Sequence, residues 1–289
     1  MNAALLNCPA PAKLNLFLHV TGRRADGYHT LQTAFRMLDY GDLLDFHLRK
    51  DGRLQRTNEV AGVPAEQDLV IRAARLLQEK TGTRLGADIT VTKRIPMGGG
   101  LGGGSSDAAT TLIALNRLWQ TGVKRATLQA WALSLGADVP FFIFGRSAMA
   151  EGVGEALTPL SLPAACYVVI EPPVSVPTVE IFRAKDLTRD TPALIIDGSA
   201  VDDLLQTFQR RARNDLQPIA CRLYPEVQHA LDALSRFGAA RMSGSGCCVF
   251  LECASRQQAE NVVTALQSNH KIWHAIGLDD HPLRTWLDD

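Results

Sequence analysis

Hydrophobic and polar positions along the chain predict a mixture of strands and helices. From Ala12 to Val20 the pattern alternates: Leu14, Leu16, Leu18 and Val20 share one face, and Lys13, Asn15, Phe17 and His19 the other. This predicts a strand that presents polar groups at its start. Thr21 to Thr30 carries Gly22, Asp26 and Gly27 and reads as a turn-rich excursion before extended segments at Leu31–Leu38 and Leu43–Leu48. After Pro64, Asp68 to Lys80 places apolar residues at helical spacing behind an acidic N-cap. Ala87 to Ile95 alternates again and runs into a glycine loop. The apolar stripe Ala108, Ala109, Leu112, Ile113, Leu115 and Leu118 then predicts a helix, for which Ser105, Ser106 and Asp107 are candidate caps. A further helix around Thr127–Leu135 stops at Gly136, and Asp138-Val139-Pro140 leads into the apolar run Phe141–Phe144.

Pro159, Ser161 and Pro163 then punctuate the pattern, placing a boundary near 157–163 and dividing the chain into segments 1–160 and 161–289. The second segment begins with a strand at Cys166–Ile170. Helices are predicted at Val201–Gln209, Pro225–Phe237 and Ser255–Ser268, and Ala239–Cys253 reads as two strands joined at Ser243-Gly244-Ser245-Gly246. A length of 289 residues fits two lobes or one large domain.

Thirty Lys+Arg balance thirty Asp+Glu, so no global positive field gathers nucleic acid or an anionic membrane. No apolar run reaches the ~18 residues needed to span a bilayer. The N-terminus lacks a basic region ahead of an apolar stretch, and the six cysteines form no CxxC pair, which together point to a reducing cytoplasm. Arg210-Arg211-Ala212-Arg213 reads as a solvated helix face, and His270 and His274 flank a strand-like segment without a convergent cysteine pair, which disfavours zinc.

Residues 98–104 contain six glycines in seven positions between a strand and a helix. Glycine loses the most backbone entropy on ordering, so bare backbone must be needed there. Converging N–H groups and a helix N-terminus hold phosphate without net protein charge. A Walker A loop is excluded because no Gly-Lys pair occurs in the chain. Gly98-x-Gly100-x-x-Gly103 satisfies a dinucleotide fingerprint literally, but no acid follows between Ala108 and Ala137 to take a ribose.

Three blocks resemble the GHMP kinases: Pro9-Ala10-Pro11-Ala12-Lys13-Leu14-Asn15-Leu16, the loop from Pro96 to Ser106, and Arg241-Met242-Ser243-Gly244-Ser245-Gly246. The resemblance covers essentially the whole chain. It implies an α+β fold of two lobes, 1–160 and 161–289, with the active site between them, and an ATP-dependent kinase of a small-molecule alcohol with Mg²⁺. ATP phosphates would lie on Pro96, Met97, Gly98, Gly99, Gly100, Leu101, Gly102, Gly103, Gly104, Ser105 and Ser106. Asp138, the only carboxylate between Ala108 and Ala150, would be the base, with Lys13 as its charge partner. Without the family, Asp138 would read as a cap and Lys13 as a solvated edge charge.

Arg24-Ala25-Asp26-Gly27-Tyr28-His29 and Leu135-Gly136-Ala137-Asp138-Val139-Pro140 narrow the resemblance to members acting on a cytidine-diphosphate-linked sugar alcohol. It implies Tyr28 and His29 at the cytosine, Phe182 on its other face with Thr178 nearby, and Asn15 on the sugar-alcohol side. Asp107 stands where the superfamily more often has a small residue, and Asp68 where relatives usually have asparagine. Ser105, Ser106 and Asp107 are candidates near the metal as well as caps, and the metal ligands stay open. A homodimer is compatible with this reading. The rival readings are a mevalonate- or sugar-type kinase, a non-catalytic nucleotide sensor of the same fold, and a nucleotide-linked dehydrogenase.

Overall fold

A computed structural model describes residues 3–58, 67–194 and 212–289. The first alternating segment is one long strand, β1 (Ala4–Arg23), which turns back at residues 24–28 into β2 (His29–Arg49). The two strands expected at 31–38 and 43–48 are a single strand of 21 residues. The polar group Asp39-Tyr40-Gly41-Asp42 that reads as an interruption is accommodated by contacts distant in sequence. Gly41 pairs with Pro11, where a side chain could not fit, because a Cβ would lie 2.3 Å from the Ala10 carbonyl. Asp42 is fully buried, and its carboxylate accepts from the backbone N–H groups of Arg94 at 2.5 Å and Ile95 at 2.8 Å.

The chain continues through β3 (Leu54–Arg56), α1 (Leu69–Thr81), β4 (Gly86–Thr92), α2 (Gly103–Leu118), α3 (Arg125–Ala132) and α4 (Val139–Phe144). There follow β5 (Ala148–Glu151), β6 (Ala156–Pro159), β7 (Cys166–Glu171) and α5 (Thr178–Arg183). Then come α6 (Gln217–Leu223), α7 (Pro225–Ser235), β8 (Ala240–Met242), β9 (Val249–Cys253), α8 (Arg256–Leu266) and β10 (Lys271–Leu278). The helix expected at Val201–Gln209 and the residues Arg210 and Arg211 lie outside the described residues. β5, β6, α5 and α6 run for only four to seven residues, too short for periodicity to announce them.

The strands join in the order β3-β4-β2-β10-β7-β9-β8, with β1 and β5 also paired to β2 and β6 to β5. β2 is therefore the hub. Its middle pairs with β10 through Leu38–Gly277 and Met37–Leu278, which joins the early strands to the late ones. Two buried cores lie on this frame. In one, Val70, Ala74 and Leu77 of α1 and Leu112 and Leu115 of α2 cover Phe46 and Ile89, and Leu283 and Leu287 return to it from the C-terminal segment. In the other, β7 and β9 with α7 and α8 bury Val168, Phe250, Leu231 and Val262 together with Leu14 and Leu16 of β1. β1 thus reaches both cores and carries Lys13 and Asn15 along the seam.

Candidate active site

A cleft of about 1050 Å³ opens along that seam. It is lined by every residue the sequence nominated for catalysis, phosphate or substrate except Ser106, whose side chain is fully buried.

The glycine loop passes straight into α2. The helix starts at Gly103 with Gly102 in the N-cap position at φ 73°, and no side chain caps it. The capping expectation for Ser105, Ser106 and Asp107 is therefore corrected: all three sit inside the first turns. The first intrahelical bond runs from Ser106 N to Gly102 O at 2.9 Å, so the N–H groups of Gly103, Gly104 and Ser105 have no acceptor within the helix. These N–H groups, at the positive end of a 16-residue helix, form an anion-binding terminus.

A second glycine motif supports the loop. Gly100 adopts φ +75°, and a Cβ there would lie 2.1 Å from the Ser243 carbonyl oxygen. The Ser243 hydroxyl donates to Gly100 O at 3.0 Å and accepts from Asn15 N at 3.1 Å, and Cys248 N donates to Gly99 O at 3.1 Å. The N-terminal block, the glycine loop and the second glycine motif thus touch one another at the cleft.

Asp138 precedes α4 but makes no side-chain cap hydrogen bond. Its carboxylate remains 32% exposed toward the cleft, 3.3 Å from the buried Lys13 ammonium. Lys13 also donates to Asn15 Oδ1 and lies over the Phe35 ring at 4.9 Å. Asn15 Nδ2 donates in turn to Thr33 Oγ1 at 2.9 Å. Side-chain bonds and ring packing hold the ammonium in place, so it stands as a fixed charge beside the carboxylate.

Behind the start of α2, Lys93 bridges two buried acids, donating to Asp42 and, at 2.8 Å, to Asp107. Burial pushes Asp107 up to about 7; Lys93 pulls against this and Asp42 adds to it. Burial would lower the Lys93 ammonium, but Asp107 and Asp42 outweigh it and hold it above its ordinary value. Asp42 is fixed by two backbone N–H groups, whereas Asp107 Oδ1 has no hydrogen-bond partner. Asp107 thus holds its proton more tightly than an ordinary carboxyl. Asp68 caps α1 through Val70 N at 2.9 Å and pairs with Arg56 at 2.6 Å, so its carboxylate is engaged in structure.

At the far end of the cleft Tyr28 is 67% exposed, and Phe182 of α5 stacks on the His29 imidazole with centroids 4.9 Å apart and planes at 28°. Thr178 and Ser245 share a hydroxyl hydrogen bond of 2.8 Å across the opening. Sequence reasoning missed Lys93, Asp42 and Arg189; the last donates to His29 Nε2 at 3.1 Å. Ser243 and Ser245 carried a signal, since they belong to the second glycine motif.

Two family models match the chain, the GHMP kinases N terminal domain over residues 68–146 and the GHMP kinases C terminal domain over 194–272. The chain belongs to the GHMP kinase family. It is an ATP-dependent kinase with the α+β fold of that family. Its relatives include the 4-diphosphocytidyl-2-C-methyl-D-erythritol kinase of Azoarcus sp. strain BH72, 61% identical over 100% of this chain and 99% of the relative. The protein of the same name from Herminiimonas arsenicoxydans is 54% identical over 98% of each. A crystal structure of 4-(cytidine 5'-diphospho)-2C-methyl-D-erythritol kinase superposes with a TM-score of 0.78 at 35% identity, covering 95% of this chain and 99% of that one. A homoserine kinase from Cytophaga hutchinsonii, 17% identical with a TM-score of 0.69 over 97% and 95%, shares the fold.

Proposed function

We propose that this GHMP kinase transfers the γ-phosphoryl group of ATP to the 2-hydroxyl of 4-diphosphocytidyl-2-C-methyl-D-erythritol, giving the 2-phosphate and ADP, in the non-mevalonate route to isoprenoid precursors. The relatives at 54–61% identity are named as kinases of this substrate. The observation that carries the mechanism is Asp138, an uncapped carboxylate 3.3 Å from a buried ammonium and facing the same cleft as the glycine loop.

Phosphoryl transfer asks a protein mainly for positioning and for charge placed where it develops. The loop from Pro96 to Ser105 and the free N–H groups of α2 hold the ATP phosphates. Asp138 takes the proton of the substrate hydroxyl as its oxygen bonds to the γ-phosphorus and the bond to the ADP oxygen breaks. Lys13, 3.3 Å from that carboxylate, offsets charge on the transferring group. Asn15 lies on the sugar-alcohol side, and Tyr28, His29, Thr178 and Phe182 form the cytidine end.

Mg²⁺ asks for one or two protein oxygens beside the phosphates. The Ser105 hydroxyl, which lines the cleft in the first turn of α2, fits that need and would hold it there, where the ion would offset phosphate charge. Asp107 is excluded from this role because Lys93 and burial occupy it. The lobe division at residue 160, a cytoplasmic location and a homodimer belong to the same proposal. Among the described residues no helix is long and apolar enough to cross a membrane.

Asp138→Asn keeps the shape and removes the base. ADP release with the cytidyl substrate is expected to fall by at least ~100-fold while nucleotide binding persists. Near-normal turnover in this variant would refute the base assignment, and faster ADP release with mevalonate or homoserine than with the cytidyl substrate would refute the substrate.

A further inference from the structure

Arg189 lies in the irregular segment after α5, and almost all of its guanidinium is engaged. Nη1 donates to Leu187 O at 3.0 Å, and Nη2 donates to Phe182 O at 3.1 Å and Ala184 O at 2.7 Å. The remaining bond crosses the cleft's far end, from Nε to Nε2 of His29 at 3.1 Å. His29 opens β2, and its ring is the one on which Phe182 stacks. One cation therefore ties His29 to the backbone of Phe182, the residue whose ring stacks on it.

A guanidinium is always protonated and has no acceptor, so the direction of this bond is fixed. His29 Nε2 must be the acceptor, and a neutral imidazole then carries its proton on Nδ1. We propose that Arg189 is a positioning residue for base recognition, which locks His29 as the Nδ1–H tautomer and so fixes a hydrogen-bond donor at the base end of the cleft. This rests on the cytidyl reading of the site given above.

The surroundings disfavour the charged form of His29. Burial, then Arg189, then Arg23 opposite it in β1, all push the imidazole below its ordinary value. Of the acids on the neighbouring turn and on α5, Asp26 pairs with Arg24 at 2.8 Å and Glu180 is bonded to the Tyr224 hydroxyl. None of them gives His29 a carboxylate partner that would favour the charged ring.

A fixed donor has a chemical consequence for specificity. Cytosine and uracil differ on their pairing edge at position 3, a bare ring nitrogen in cytosine and an N–H in uracil, and at position 4. A locked Nδ1–H is complementary to the cytosine nitrogen and opposes the uracil N–H. A histidine free to change tautomer could present an acceptor instead, and the discrimination would be lost. A site built to hydrogen-bond one partner rejects a mismatched one strongly because its own group is left unpaired.

Two measurements test this. In ¹⁵N-histidine spectra of the ligand-free protein, His29 is expected to show a protonated Nδ1 and an unprotonated Nε2 near neutral pH. Arg189→Ala is expected to shift it toward the Nε2–H form. With that variant, KM for the cytidyl substrate is expected to rise by about tenfold with kcat little changed, and the preference for it over its uridyl analogue to shrink by about tenfold or more. A wild-type His29 protonated on Nε2, or an unaltered cytidyl-to-uridyl ratio in Arg189→Ala, overturns the proposal. Wild-type protein that does not turn over the cytidyl substrate removes the functional reading instead, while the tautomer in the ligand-free protein still tests the Arg189 contact by itself.

Discussion

Gly100→Ala tests whether the two glycine motifs form one mechanical unit. Two penalties apply at this position. The first is conformational: φ is +75°, where an L-residue costs about 1–2 kcal/mol. The second is steric. The new Cβ would stand 2.1 Å from the Ser243 carbonyl oxygen, and real Cβ contacts stay beyond 3.0 Å, so something must move by at least 0.9 Å (3.0 − 2.1). Ser243 is poorly placed to yield: it is fully buried, its N–H donates to Cys248 O at 3.0 Å, and its hydroxyl serves both Gly100 O and Asn15 N. The glycine loop must move instead. Misplacement of bound phosphates by about 1 Å costs on the order of 100-fold in rate.

Gly82→Ala separates the two penalties, because Gly82 ends α1 at φ +68° and a Cβ added there would meet no atom within 4 Å. It carries the conformational cost alone, far from the cleft. The assay is ADP release at varied ATP together with thermal melting of both variants. The expectation is that Gly82→Ala loses stability and keeps kcat, while Gly100→Ala loses more stability and about 100-fold in kcat/KM for ATP. If Gly100→Ala melts no lower than Gly82→Ala and keeps kcat/KM within about threefold, the coupling of the motifs is wrong.

Two further outcomes are expected. Asp107 has its folded value raised to about 7 against 3.8 for the ordinary side chain, so the unfolded chain releases this proton first. The Asp107 contribution to stability should therefore fall as pH rises from about 4 to about 7, by at most about 4 kcal/mol, and level off above. Across this range wild type should lose stability in urea relative to Asp107→Asn, and a constant difference between the two would show that Asp107 does not hold a raised proton affinity. At Asp68, replacement by alanine removes both the α1 cap and the Arg56 pair, for about 2–3 kcal/mol, whereas asparagine keeps the cap and loses only about 1–2 kcal/mol. Equal losses in the two variants, measured by urea midpoints, would place the whole effect in the ion pair.

Much of the site was legible because its chemistry needs local patterns. A run of glycines between a strand and a helix, an alternating strand bearing Lys13 and Asn15, and one isolated acid before an apolar helix each stand out within a dozen residues. What stayed hidden depends on partners far along the chain. Asp42 reads as a strand break, yet it is buried because Arg94, Ile95 and Lys93 all donate to it from across the sheet. Ser105 to Asp107 read as caps because small polar residues before an apolar stripe usually are, but Gly102 takes the N-cap place and the helix begins within the glycine run. Arg189 gave no signal, since a lone arginine in an irregular segment is ordinary until its four acceptors are seen. The short elements α5 and β5 are set by what they pack on, and their sequences carry too few periods to declare them.

The balanced charge of the chain bears on how such a site holds polyphosphates. Three of the cleft's cations are each committed to a protein partner: Lys13 to Asp138 and Asn15, Lys93 to Asp42 and Asp107, and Arg189 to three carbonyls and an imidazole. Their positions are fixed before any ligand arrives, which is the condition under which charge lowers a barrier without reorganisation. Attraction for phosphate then comes largely from the loop backbone and the open end of α2, groups that carry no formal charge and act only over short range. A site of this kind depends on where the backbone lies more than on how much charge the protein carries. That dependence is why a single methyl group at position 100, neutral and apolar, is expected to cost more activity than the loss of many surface cations.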